Sequence, residues 1–246
     1  MIRAIIALLL SALPAWSQAP EIRAELLPGW RAEGGRHMAA IRLELPPGWI
    51  TYWRDPGQAG IPPRMDISAS RGVTDARIVW PAPKAFHSYG LRSLGYEGTV
   101  ILPLALEVHG NARLDMLFGF GVCDEICVPV TARLTGDLPR PGAADPAIRV
   151  ALSQVPQRHE GIARCALTRT AQGPAMEAVL TIPHLGRGET VALEAPGAHL
   201  GDPVLAREGG VLRATFPIRG GAVSRQGLHV TAVGPYGAVE QAGCPS

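Results

Sequence analysis

Lysine, aromatic residues and long apolar segments are scarce in this sequence. Of its 246 residues, 18% are charged and 5% are aromatic, and the formal net charge is +2, with arginine and acidic residues interspersed. No stretch has the clustered basic character of a nucleic-acid-binding surface, so we expect no nucleic-acid partner. Apolar residues rarely recur at helical spacing, which argues against a mainly α-helical protein.

Sequence signatures of several enzyme classes are also missing. The chain has no Gly-x-Ser-x-Gly motif of hydrolases, no phosphate-binding loop and no dinucleotide-binding fingerprint. The missing motifs give no reason to expect an organic cofactor. The histidines show no pair at metal-ligand spacing, so we expect no metal site. They are His37, His87, His109, His159, His184, His199 and His229.

The N-terminus has the layout of a secretory signal peptide. Arg3 precedes an apolar run at 4–13, which Pro14 and the segment 15–17 follow. The run is about ten residues long, whereas an apolar helix needs roughly twenty residues to cross a bilayer. We therefore predict a signal peptide over 1–17 that is cleaved at its end, and an exported periplasmic protein without stable membrane insertion.

Glycine and proline are abundant and divide the chain into short segments. The 29 glycines and 23 prolines fall between apolar stretches such as 39–45, 100–108 and 191–193. This arrangement is typical of all-β sandwiches and barrels, in which turns separate many short strands. The composition therefore predicts an all-β fold.

Alternating side chains predict individual strands. Within 38–45, apolar Ile41 and Leu43 alternate with charged Arg42 and Glu44. A strand with one buried face and one solvated face has this period of two residues. The same alternation predicts further strands at 112–117 and 175–182.

One segment, 145–155, is predicted to be a helix. Asp145 can serve as its N-cap, a proline fits the first helical position, and apolar residues then return on one face. The stretch at 138–142 is polar and rich in proline, which is typical of a linker. We therefore predict two domains, at 18–142 and 143–246, of which the second is also β-rich.

The four cysteines of an exported chain are expected to form two disulfides. Three pairings are possible, and the predicted domain division favours Cys123 with Cys127 and Cys165 with Cys244. The loop-entropy relation gives the long ring about 4.5 kcal/mol of stabilisation and the short ring about 2 kcal/mol. We expect the long ring to be structural, since it would hold the C-terminus in place.

The short ring between Cys123 and Cys127 requires a sharp turn. Positions four apart on a straight strand are separated by roughly 13 Å, whereas disulfide-bonded Cα atoms lie about 4.4 to 6.8 Å apart. Tightly closed rings are often strained, and strained or exposed disulfides are the more easily reduced class. These two cysteines are therefore the candidate catalytic residues, and a hairpin staple is the structural alternative.

Four motifs, in order, resemble one known family. They are GWITYWRDPGQAGIPP at 48–63, WPAP at 80–83, GYEG at 95–98 and CDEICVP at 123–129. Together they resemble the N-terminal periplasmic domain of DsbD-type thiol:disulfide interchange proteins, particularly the ScsB-like members. The segment that follows is similar to the corresponding region of the ScsB-like members.

The resemblance implies an immunoglobulin-like β-sandwich whose cysteine pair exchanges electrons with other proteins. Cys123 and Cys127 match the family's pair, and the family pattern favours Cys127 as the attacking residue. The implied partners are a membrane-embedded thiol relay and periplasmic thioredoxin-like proteins. The chain ends at Ser246 without either part, so the electron donor is expected to be a separate protein. Exchange by thiolate attack requires no bound cofactor.

Two other functions fit parts of the sequence. Copper binding is one, because thiolates, thioethers and imidazoles favour soft or borderline metals. A non-catalytic immunoglobulin-like binding module is the other, and its short disulfide would resist mild reductant. We interpret most aromatic residues that precede the cysteine pair as packing residues. The resemblance also predicts that the segment 86–90 forms a cap over the disulfide.

Overall fold

The computed structural model describes residues 21–32, 34, 36–57, 60–88 and 90–246. The signal peptide predicted at 1–17 lies outside these residues. Among the described residues, no helix combines the length and apolar character needed to cross a membrane. We refer to residues 21–142 as the N-terminal region and to residues 143–246 as the C-terminal region.

The strands of the N-terminal region form one antiparallel sheet. Its main order is β1-β2-β8-β3-β7-β6, and β4, β5 and β9 also pair with β8. β8 is 25 residues long and pairs with β2, β3, β4, β5 and β9. The hairpin at its end is therefore firmly attached to the N-terminal region. The strands are β1 (Arg23–Arg31), β2 (Arg36–Glu44), β3 (Ile50–Gly57), β4 (Arg64–Asp66), β5 (Arg71–Ile78), β6 (Lys84–Ser88), β7 (Leu91–Glu97), β8 (Thr99–Cys123) and β9 (Cys127–Asp137).

The alternation seen in the sequence decides which face of β2 is buried. Ile41 and Leu43 are fully buried in the core, whereas Glu44 is exposed and Arg42 forms a surface ion pair with Glu25. Burial of such aliphatic side chains stabilises the fold by about 1.5 to 3 kcal/mol each. The strand predicted at 38–45 is confirmed and ends at Glu44. The one predicted at 112–117 lies within β8, and the one predicted at 175–182 is observed as a strand that ends at Thr181.

The predicted helix is present as α1, Pro146–Ser153. Asp145 is its N-cap, and its Oδ1 accepts a hydrogen bond from the Ala147 amide at 2.8 Å. Ile148 is fully buried and belongs to a small apolar cluster that includes Leu27 of β1. The helix therefore covers one side of the N-terminal sheet.

The stretch at 138–142 is packed against the N-terminal sheet, and its interpretation as a polar linker is wrong. Leu138 is buried in the core, and its amide donates to the Ala112 carbonyl at 2.9 Å. The Arg31 amide also donates to the Pro141 carbonyl at 2.6 Å. The proline-rich composition of this stretch predicts a linker. Its one leucine nevertheless makes the packing contact, because burial of an apolar side chain is favourable.

The C-terminal region contains nine further strands in two sheets. The orders are β10-β18-β17-β13 and β11-β12-β16-β14, and β15 also pairs with β16. The described chain is thus mostly β, which confirms the predicted all-β, immunoglobulin-like fold class. The strands are β10 (Gln157–Arg158), β11 (Ala163–Thr170), β12 (Gly173–Thr181), β13 (Thr190–Glu194), β14 (Ala198–Leu200), β15 (Val204–Glu208), β16 (Val211–Gly221), β17 (His229–Gly234) and β18 (Gly237–Ala242).

The C-terminal region has its own apolar core, and a disulfide lies within it. Cys165 on β11 is bonded to Cys244, with Cα atoms 5.3 Å apart, and both residues are buried. The Cys165 amide also donates to the Pro245 carbonyl at 2.7 Å. The predicted pairing is confirmed, and the bond attaches the C-terminal tail to the core.

A charge cluster around the buried Glu240 joins the two regions. The Arg54 guanidinium on β3 donates to Glu194 at 3.0 Å and to Glu240 at 3.1 Å. Glu240 also pairs with Arg158 at 3.0 Å and with His229 at 3.2 Å. Only 4% of the Glu240 side chain is exposed, so its charge depends on these partners and not on water.

A second contact joins β7 to the C-terminal region. The Arg92 amide donates to Asp202 at 3.1 Å, and the guanidinium donates to the Thr190 hydroxyl at 3.0 Å and to the Val191 carbonyl at 3.3 Å. Arg92 and Thr190 are both buried. Two neighbouring strands of the N-terminal sheet, β3 and β7, are therefore in contact with the C-terminal region.

Glu240 should make the stability of the protein depend on pH in acid. Burial raises the pKa of Glu240, but the contact with His229 and the hydrogen bonds from Arg158 and Arg54 outweigh this effect and lower the pKa from 4.5 to about 2. Because the folded-state pKa is lowered, this stabilisation is complete above the unfolded pKa and is lost as the pH falls towards 2. Glu240→Gln should cost about 3 kcal/mol at neutral pH and roughly half of that at about pH 3.

Urea denaturation of Glu240→Gln and the unmodified protein at both pH values measures this difference. Glu97→Gln is the matched control, because Glu97 forms an exposed ion pair with Lys84 at 2.8 Å. Its loss should cost less than about 1 kcal/mol. A cost of Glu240→Gln that is equal at both pH values would contradict the assigned role.

Candidate functional site

The hairpin between β8 and β9 ends in the disulfide that joins Cys123 and Cys127. The two residues are the last pair of the strand ladder, and their Cα atoms are 4.2 Å apart. Residues 124–126 bend between them, with the Asp124 amide donating to the Ile126 carbonyl at 3.4 Å. The pairing and the tight turn predicted from the spacing are both confirmed.

The two sulfur-bearing residues differ sharply in exposure. Cys123 is only 5% exposed, whereas Cys127 is exposed at the hairpin end. Ile126, next to Cys127, is 73% exposed, and Asp124 and Glu125 are exposed as well. An incoming thiolate must reach the sulfur that it attacks, so access favours attack at Cys127 with Cys123 as the leaving group.

Tyr52 on β3 contacts both sulfur atoms. Its hydroxyl donates to Cys123 Sγ at 2.7 Å and lies 3.2 Å from Cys127 Sγ. The residue is 1% exposed, and this burial raises the pKa of the Tyr52 phenol. The phenol therefore stays protonated at neutral pH and remains a hydrogen-bond donor to the sulfurs.

Pairing between β3 and β8 brings Tyr52 to the disulfide. Ile50 on β3 is opposite Cys123 on β8, and the Thr51 hydroxyl donates to the Gly121 carbonyl at 2.8 Å. Sequence reasoning interprets Tyr52 as packing and misses this contact. The available signal is the adjacency of Tyr52 and Trp53, because successive strand residues point to opposite faces. Two large aromatic residues at such positions cannot both fill the same core.

The segment predicted to cap the disulfide is largely a strand at the sheet edge. Residues Lys84–Ser88 form β6, which pairs with β7, and Phe86 is opposite Ser93. Tyr89 lies outside the described residues. Among the hydrogen bonds of the described residues, none joins this segment to the sulfurs, and the cap stays a prediction.

No three His, Cys, Asp or Glu side chains within the described parts of the chain are arranged to hold a metal ion. The chemistry that the site can perform resides in the sulfurs themselves. A disulfide between an exposed cysteine and a buried cysteine can accept two electrons from a dithiol through a mixed disulfide. This reaction class requires only thiolates and a partner that can dock.

Comparison with known proteins finds a family match over the region that contains this site. Residues 23–139 match the family described as thiol:disulfide interchange protein DsbD, N-terminal. The crystal structure of the N-terminal periplasmic domain of ScsB from Proteus mirabilis is similar over 94% of this chain and 94% of that chain, with 23% sequence identity and a TM-score of 0.72. At this identity the likeness shows the fold. No match was found among curated protein sequences. Residues 23–139 thus resemble the N-terminal domains of DsbD thiol:disulfide interchange proteins, and the chain shares the fold of the ScsB domain.

Proposed function

We propose that this protein passes electrons between a membrane-embedded thiol relay and periplasmic thioredoxin-like proteins by thiol-disulfide exchange. Cys123 and Cys127 are the proposed redox-active pair. The observation that carries the proposal is a hairpin disulfide between a buried and an exposed cysteine, within the region that matches the DsbD N-terminal family. The periplasmic location is supported by the signal peptide predicted at 1–17 and by the similarity to a periplasmic domain.

The exchange has two half-reactions. When the protein is reduced, a donor thiolate attacks Cys127 Sγ, the bond to Cys123 breaks, and a mixed disulfide forms at Cys127. The second thiolate of the donor then attacks its own bound sulfur and releases Cys127. When the protein is oxidised, the Cys127 thiolate attacks the disulfide of an acceptor, and Cys123 resolves the mixed disulfide by closing the short ring.

The proposal also assigns the two regions different roles. Residues 18–142 form a redox domain, and residues 143–246 form a second domain stabilised by the disulfide between Cys165 and Cys244. Each region has an apolar core of its own, which supports this division, and among the described residues Ala192 of β13 is the one C-terminal residue that packs into the N-terminal core. The Arg54 and Arg92 contacts hold the two proposed domains against one another.

Mild dithiol should reduce the short disulfide well before the long one. Cys127 is exposed, whereas Cys165 and Cys244 are 1% and 2% exposed, so the long disulfide is shielded from attack and serves as a control within the same chain. Acid quenching, alkylation and peptide mass analysis at successive times follow each bond separately. If both bonds open together, or the long one opens first, the exchange function fails and the non-catalytic binding module is the better interpretation.

A further inference from the structure

Two glycines fix the position of the Tyr52 ring. A Cβ added to Gly60 would lie 2.8 Å from ring atom Cδ1, and one added to Gly121 would lie 3.1 Å from Cδ2. Side chains larger than hydrogen at these positions would press on the ring and, more closely, on Pro56 or Ile61 beside it, because protein interiors leave little free volume. Gly121 lies on β8 two positions before Cys123. The phenol is therefore held between backbone segments, with its hydroxyl directed at the sulfurs.

We propose that Tyr52 is a catalytic residue, whose hydroxyl stabilises the Cys123 sulfur by a hydrogen bond as that sulfur leaves as a thiolate. The inference rests on the proposed exchange function of the cysteine pair. A disulfide sulfur is a weak hydrogen-bond acceptor, whereas a thiolate carries a full charge and accepts a stronger bond. The hydrogen bond from Tyr52 thus strengthens while the bond between Cys123 and Cys127 breaks. Interactions that strengthen in the transition state accelerate a reaction.

The surroundings of Cys123 disfavour a thiolate at this residue. The residue is buried, and burial disfavours a charged sulfur. The exposed carboxylates of Asp124 and Glu125 follow directly in sequence, and their negative charges also oppose a thiolate. The hydroxyl of Tyr52, at 2.7 Å, offsets both effects with a charge-assisted hydrogen bond.

The reaction balances without any further reactant. The donor thiolate supplies an electron pair to Cys127 Sγ, and Cys123 keeps the pair of the broken bond. Tyr52 retains its proton and only donates a hydrogen bond, in accord with its raised pKa. After the second donor thiolate has displaced Cys127, the donor is a disulfide and both cysteines are reduced. Two electrons have been transferred, and the thiolates take up protons from water.

Tyr52→Phe tests this role, since it removes the hydroxyl and keeps the ring. Loss of a hydrogen bond to a charged group corresponds to about a ten-fold or greater slowing of disulfide reduction by dithiothreitol. In a Cys127→Ser background, the same change should raise the pKa of the Cys123 thiol by about 1 to 2. The pKa is read from the carbon-13 shift of the labelled Cys123 Cβ as the pH is varied, and the measurement needs no partner protein.

Tyr96→Phe is the matched control. Tyr96 is also a buried tyrosine of the same sheet, but its hydroxyl donates to the Pro81 carbonyl at 2.8 Å. It should change neither the reduction rate nor the Cys123 pKa, and thermal unfolding confirms that both variants are folded. Equal Cys123 pKa values with and without the Tyr52 hydroxyl would overturn the proposal. A raised pKa in a protein that exchanges with no thioredoxin-like partner would support the Tyr52 contact and reject the proposed function.

Discussion

Replacing Cys123 by serine should convert the protein into a trap for its partner. The exposed Cys127 keeps its thiolate and can still attack the disulfide of an oxidised thioredoxin-like protein. The mixed disulfide that forms has no thiol on this chain to resolve it, so a covalent complex should accumulate. After acid quenching, the complex is visible on a non-reducing gel and disappears when reductant is added.

Cys127→Ser is the matched variant, and no complex is expected from it. Its remaining thiol, Cys123, is 5% exposed and out of reach of a folded partner. Complexes formed only by Cys127→Ser would reverse the two roles but keep the mechanism. Absence of complexes from both variants, with oxidised and reduced partners present, would reject the exchange function. A structural staple would instead show only the modest loss of about 2 kcal/mol for opening a ring of this size.

Local sequence patterns predict the elements of this fold well. The period of two in β2, the N-cap Asp145 and the spacing of Cys123 and Cys127 each depend on residues close together in the chain. Such patterns are decided by local geometry, so the structure confirms the strand, the helix and the turn. The bond between Cys123 and Cys127 is predictable from the domain division, which places both cysteines in the same region.

The contacts that complete the site could not be predicted in this way. Tyr52 reaches Cys123 across 71 positions, and Arg54 reaches Glu240 across 186. Contacts of this kind depend on which strands are neighbours and in which register, and a single sequence does not specify either. The linker prediction at 138–142 misses the packing of Leu138 for a related reason. The composition of the stretch is that of a linker, but the burial of this one leucine depends on the distant strands around it.

β3 combines two of these distant contacts within three residues. Its Tyr52 hydroxyl touches the sulfurs, and its Arg54 guanidinium enters the charge cluster with Glu194 and Glu240. The intervening Trp53 is fully buried in the core, and Arg54 lies 4.2 Å from the centroid of its ring. β3 thus connects the disulfide with the C-terminal region, and the position of Tyr52 depends on the buried segment at 51–53.

Removing the long disulfide should cost the protein much more stability than removing the short one. Paired replacement of Cys165 and Cys244 by alanine opens a ring with a sequence separation of 79, which the loop-entropy relation values at about 4.5 kcal/mol. The paired alanine replacement of Cys123 and Cys127 opens a ring with a separation of four and should cost about 2 kcal/mol. Guanidinium denaturation under oxidising conditions measures both losses.

The comparison separates the structural disulfide from the proposed exchange disulfide, because each double variant serves as the control for the other. Cys165 and Cys244 lie in the C-terminal core, so their loss should also lower the protection of β11 amides from hydrogen exchange. The short-ring variant should leave those amides protected and should lose exchange with partner proteins completely. Equal losses of stability, or a greater loss from the short ring, would contradict the division of roles. In that case, the long disulfide would not stabilise the protein mainly by restricting the conformations of the unfolded chain.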